Sequence, residues 1–140
     1  MKFKGLKALA LLVALHAGLA SAQDFSRFNW SRVQLTPGTA SESFIDYSRV
    51  SGDRNAAMRA WVMSVHQDIT SARMWGLSDI SEVEVQCIKG TVRLLSTFWT
   101  ENQFGRGAIT KYFMTPNAAP VSIVRLRDGD YHRALFNNLC

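Results

Sequence analysis

The stretch Glu82-Val83-Glu84-Val85-Gln86-Cys87-Ile88 alternates charged or polar side chains with apolar ones, residue by residue. Period-two alternation marks a β-strand whose two faces meet different surroundings. Val83, Val85 and Cys87 share one face, and Glu82, Glu84 and Gln86 share the other. The pattern predicts a half-buried sheet with Cys87 turned inward. Glu82 and Glu84 would stand about 7 Å apart on an extended strand, a spacing conceivable for a glycosidase pair. Alternating Glu on the wet face of a sheet is the ordinary reading, and it is adopted.

Downstream, Lys89-Gly90 reads as a tight turn or as a bulge in one bent strand, and Thr91 to Thr100 resumes with β-branched and aromatic residues suited to a pleated surface. Glu101 to Gly107 has the Asn and paired Gly of a hairpin loop. Ala108 to Met114 is the returning strand, with Ile109 and Phe113 on one face and Tyr112 and Met114 on the other. Upstream, Asn29 to Leu35 and Glu42 to Arg49 read as two strands around a Pro37-Gly38 turn, and Ser51-Gly52-Asp53 as a further turn. Ala57 to Asp68 fits both periods: Trp61, Met63 and Val65 alternate, whereas Met58, Trp61, Val62 and Val65 fit one helical face. The adjoining turn and the β-branched, aromatic content favour a strand. Thr70 to Ser81 reads as an irregular crossing that carries Trp75 and Gly76. Asp128-Gly129-Asp130 then precedes Tyr131 to Cys140, where an Asp cap and apolar Tyr131, Ala134, Leu135 and Leu139 predict a short helix. The fold class is α+β, mainly β: an antiparallel sheet of five or six strands with a short C-terminal helix.

The 140 residues suit one domain. A formal net charge of +5 would suggest a nucleic-acid partner, but it must be counted by region. Lys2, Lys4 and Lys7 are three of the 16 Lys and Arg, and they leave 13 bases against 11 acids in the remainder. The three lysines open a leader, residues 1–22, with an apolar run from Ala8 to Leu15 and small residues Ala20-Ser21-Ala22 at its end. This is the pattern of a cleaved signal peptide. The apolar run falls short of the ~20 residues a membrane span needs, and Gln23 after the cut offers no thiol for a lipid anchor. Residues 23–140 are thus read as one exported, soluble domain, periplasmic or secreted, without transmembrane or lipid anchor. Nucleic acid is disfavoured as a partner.

Export makes the two cysteines readable. Cys87 and Cys140 are an even pair in an oxidising compartment and read as one disulfide that ties the helix to the sheet. A redox pair would favour a CxxC spacing, and a metal site needs three or four ligands. His66 and His132 have no Ser, Cys or carboxylate at a recognisable spacing, and solvent-facing histidines without a ligand are the ordinary reading. No cofactor, metal or catalytic residue is assigned. Phe104-Gly105-Arg106-Gly107 lacks the strand-to-helix setting of a phosphate loop. Aromatics carry the strongest binding signal: Trp61 and Phe98 are expected in the core, whereas Trp75 and Phe104 fall in loop-like contexts beside Arg73 and Arg106. Arg73, Trp75, Phe104 and Arg106 are the candidate partner-binding residues.

Trp30 with Val33, Phe44-Ile45-Asp46 with Tyr47-Ser48, Trp61 to Val65, Cys87, Gly105 with Gly107, and Ala134 to Cys140 follow one another in an order that resembles the surface-adhesin protein E family of exported bacterial proteins. The resemblance spans nearly the whole chain after the leader. It implies an antiparallel sheet with a helix held by a Cys87–Cys140 bridge, and an adhesive role toward host extracellular-matrix proteins. Two features depart from the family's adhesin type: it is lipid-anchored, whereas Gln23 cannot be acylated on sulfur, and the nearest basic surface segment, Arg125 with Arg127, adjoins Asp128 and Asp130. The expectation is an exported, non-enzymatic binding protein of the adhesin E type engaging a protein partner, with a homodimer left open. The alternative is a periplasmic inhibitor or immunity protein against a toxin or hydrolase.

Overall fold

The alternating segment lies in the middle of a single antiparallel sheet in the computed structural model, which describes residues 24–35, 41–67, 76–115, 117–127 and 130–140. The expected leader, Gln23, Arg73 and Trp75 lie outside the described residues. Among the described residues the strands are β1 (Ser31–Val33), β2 (Ser41–Ile45), β3 (Ser51–Gly52), β4 (Met58–His66), β5 (Ser78–Gln86), β6 (Thr91–Thr100), β7 (Ile109–Met114) and β8 (Val121–Ser122). Their spatial order is β1-β2-β4-β5-β6-β7, every pairing antiparallel. The two-residue strands β3 and β8 extend the path by pairing with the first residues of β4 and β6. The chain ends in helix α1 (Tyr131–Leu139), whose first turn is capped by the Asp130 carboxylate accepting the His132 N–H.

Within ambiguous Ala57–Asp68, Met58–His66 is strand β4, as its alternation favoured, while Asp68 lies outside the described residues; β6 spans Thr91–Thr100 as expected. Other boundaries shift. β5 begins at Ser78, inside the expected irregular crossing, while Cys87 and Ile88 belong to the turn that Gly90 closes. The expected first strand shrinks to Ser31–Val33. The second stops at Ile45, because the Asp46 carboxylate accepts the Ser48 N–H and starts a 3₁₀ turn over Tyr47–Arg49.

A larger correction concerns the faces. Alternation predicted one buried and one wet face, but apolar clusters lie on both. Ile45, Ala60, Val62, Val83, Val85 and Val92 pack under Leu135 and Leu139 of α1. Their chain neighbours Phe44, Met63 and Val65, with Ile80 and Phe98, turn to the opposite face and pack under Phe25, which the 3₁₀ turn Phe25–Arg27 delivers. Phe28, Trp30 and Trp61 complete this aromatic layer, with Trp61 edge-on to Phe28 at 5.6 Å. Glu84 is on this face and is not wet: it is 7% exposed, held by Arg93 at 2.6 Å and Arg59 at 3.4 Å. Charges taken out of water need such partners.

Two irregularities let β6 and β7 serve both faces. Glu82 pairs with Ser96 but Val83 pairs with Leu94, so Leu95 is an extra residue. Val92 therefore faces α1 and Phe98 the aromatic layer, although both are even-numbered. A second shift at Thr110 places Ile109 beside Thr100 and Lys111 beside Trp99. The expected sharing of a face by Ile109 and Phe113 is thereby overturned: Ile109 joins Tyr112 and Met114 on the aromatic side, and Phe113 faces the helix side.

Cys87 and Cys140 form a disulfide with Cα atoms 5.6 Å apart, which links the end of the helix to the β5–β6 turn. In the chain-entropy picture a loop of this size stabilises the fold by about 4 kcal/mol.

Candidate protein-docking edge

Phe104 and Arg106 sit in the loop between β6 and β7, and buried hydroxyls fix that loop. Ser78 Oγ accepts the Gly105 N–H at 3.0 Å and lies 2.8 Å from both Thr100 Oγ1 and the Asn102 carbonyl. Gly105 has φ +68, and a Cβ there would come within 2.7 Å of Ile80 Cδ1 and 2.9 Å of Phe25 Cβ. No larger residue fits without moving the core. Phe104 is also left-handed, at φ +59, which is uncommon for a non-glycine residue. Its ring rests edge-on against Phe44 at 5.5 Å and remains 37% exposed. Phe104 is thus partly packed onto the sheet and partly offered to solvent, and Arg106 beside it is exposed.

Tyr112 and Met114 share the aromatic face with Phe104 but lie on β7, at the end of the strand order. Tyr112 stacks over Phe98 at 6.2 Å, and yet it is 49% exposed; Met114 is 63% exposed. Sequence reading placed these two on one strand face and did not single them out. Their alternation was visible, but that β7 is an edge depends on strand order, which no local pattern carries.

A second cluster lies under α1. His66 Nε2 is 2.6 Å from Asp79 Oδ1, and the imidazole stacks on Trp99 at 5.3 Å. The His66 side chain is largely enclosed, so the solvent-facing reading of this residue is corrected. Spacing could not reveal the pair, because Asp79 reaches His66 only through the β4–β5 register. Tyr131 of α1 hydrogen-bonds Ser64 in the same cluster. Burial pushes its hydroxyl above the ordinary tyrosine range, the Asp79 charge adds to this and the Ser64 hydrogen bond opposes it. The arrangement ties the helix to the sheet. His132 keeps near its own cap, 3.4 Å from Asp130.

At the opposite end of the sheet, Asn55, Ala56, Ala57, Gln86, Ile88 and Lys89 line an open groove of about 400 Å³. Among the described residues no group of three or more His, Cys, Asp or Glu is placed to hold a metal, and no helix is long and apolar enough to cross a membrane.

No protein-family model matches the chain. No curated protein and no solved structure matches it either.

Proposed function

We propose that the chain is an exported, non-enzymatic binding domain of the surface-adhesin E type that engages a protein partner, with host extracellular matrix as the partner class. The observation that carries the reading is the rigid display of large side chains on one face: Phe104 from a loop locked by Ser78 and Gly105, Tyr112 and Met114 from an edge strand. Large apolar groups with Arg106 beside them, and Lys111 on the other face of the same edge strand, have the composition of a docking surface. The disulfide supports an oxidising location.

The test combines location and binding. Protease shaving of intact cells should reach the protein, and the purified protein should bind at least one member of a panel of immobilised extracellular-matrix proteins. Phe104→Ser and Tyr112→Ser should each weaken that binding by more than ~1 kcal/mol while leaving the melting temperature within a few degrees. Confinement to the periplasm with no matrix binding would overturn the reading.

A further inference from the structure

The outer side of β7 pairs with no strand among the described residues. The Thr115 N–H donates to the Leu95 carbonyl at 2.8 Å, which sets the phase of the β6–β7 ladder. In an antiparallel pair alternate residues bond the neighbour, and those between turn their N–H and C=O away. Counting back from Thr115, Phe113 and Lys111 bond β6, whereas Met114 and Tyr112 present their backbone groups outward. These are also the two whose side chains stand exposed on the aromatic face. An extended segment laid here would gain ladder hydrogen bonds and apolar contact from the same residues.

Charge selects the occupant. From Asn102 to Arg127 the chain carries Arg106, Lys111, Arg125 and Arg127 and no Asp or Glu. Lys111 lies on β7 itself, its ammonium 4.9 Å from the centre of the Phe113 ring. β8 and the 3₁₀ turn Ile123–Arg125 continue the same edge of β6 beyond β7. Arg106, Arg125 and Arg127 are exposed, and no ion pair among the described residues includes them. A second copy would bring two such acid-free stretches together, which like-charge repulsion opposes.

We propose that the outer edge of β7 takes up an extended, acidic segment of the protein partner as an added strand, anchored by Tyr112 and Met114 and steered by Arg106 and Lys111. This rests on the protein-partner reading above.

The probe is a capped synthetic peptide of about ten residues alternating Glu with Val and Thr, beside its Lys-for-Glu counterpart. Binding to the oxidised protein is followed by amide hydrogen exchange. The acidic peptide should slow exchange at Tyr112 and Met114, lose affinity as salt rises, and bind at least about tenfold more tightly than the Lys peptide. Met114→Pro removes an outward N–H while sparing the β6 ladder, and should abolish the protection. If that variant does not fold, N-methylation of the central peptide residues removes the opposing donors and should abolish binding to the unaltered protein. Equal binding of the two peptides, protection elsewhere on the sheet, or concentration-dependent dimerisation that protects the same amides would overturn the proposal. A matrix protein that binds wild type and Met114→Pro equally would reject the edge and leave the protein-partner reading standing. Peptide protection at Tyr112 and Met114 without any matrix binding would support the edge and remove the matrix as partner.

Discussion

Asp46 is fully buried, and four groups converge on it: the Asn29 and Ser48 N–H groups, the Ser48 hydroxyl, and Arg49 Nε at 3.3 Å. It joins the segment carrying Phe28 and Trp30 to the end of β2. Asp46→Ala strands those donors and should lower stability by about 2–4 kcal/mol in urea melts. A loss below half of that would mean water replaces the carboxylate. Tyr131 gives a pH signature. Its ionisation is suppressed in the folded protein, while in the unfolded chain it ionises near the ordinary value of about 10. The unfolded state thus binds fewer protons above that pH, and the stability tied to this group, whole below it, declines as pH rises further. Tyr131→Phe should show a smaller drop in urea midpoint between neutral pH and pH ~10.5 than wild type. Identical drops would show that the hydroxyl is not enclosed under α1.

Helix α1 has nine residues, too short to persist alone in water. It is held by Leu135 and Leu139 and by the Cys87–Cys140 bond. Cys140→Ser should cost up to about 4 kcal/mol, and its amides should exchange faster in the helix than in β4 and β5. Uniform acceleration would mean that helix and sheet open together. Elements were legible where local chemistry decides them. β4 and β6 show in their β-branched and aromatic runs, and α1 in its Asp cap and apolar spacing. The sides of Ile109 and Phe113 were not legible, because the irregularity at Thr110 is a property of the pairing. Glu84 misled for a similar reason. Arg59 and Arg93, which hold it, come from the two neighbouring strands, and a strand's own alternation cannot announce what its neighbours place against it. Of the candidate site, exposed Phe104 was readable from its Gly-flanked loop; the edge position of Tyr112 and Met114 was not.

On the scale of the molecule, one sheet carries a core on each side. Ile45 and Ile80 are both fully buried, the first under α1 and the second under Phe25. Ile45→Ala and Ile80→Ala should each cost about 2–5 kcal/mol. Because Val62 and Met63 are adjacent in β4 yet serve opposite cores, both variants should melt in a single transition. A biphasic melt would show that the two layers unfold separately.

The extra residue at Leu95 makes β6 tolerant of a one-residue deletion in a way that substitution cannot mimic. Without it Val92 and Phe98 would stand an odd number of positions apart, on opposite faces of an unbroken strand, so Val92 would keep the helix and Phe98 the aromatics. Shortening the interval by one residue more would turn half the strand over and send one of the two to the wrong core. Homologous chains sharing both cores should carry either this interval with its bulge or one residue fewer and no bulge, whereas loops elsewhere vary freely.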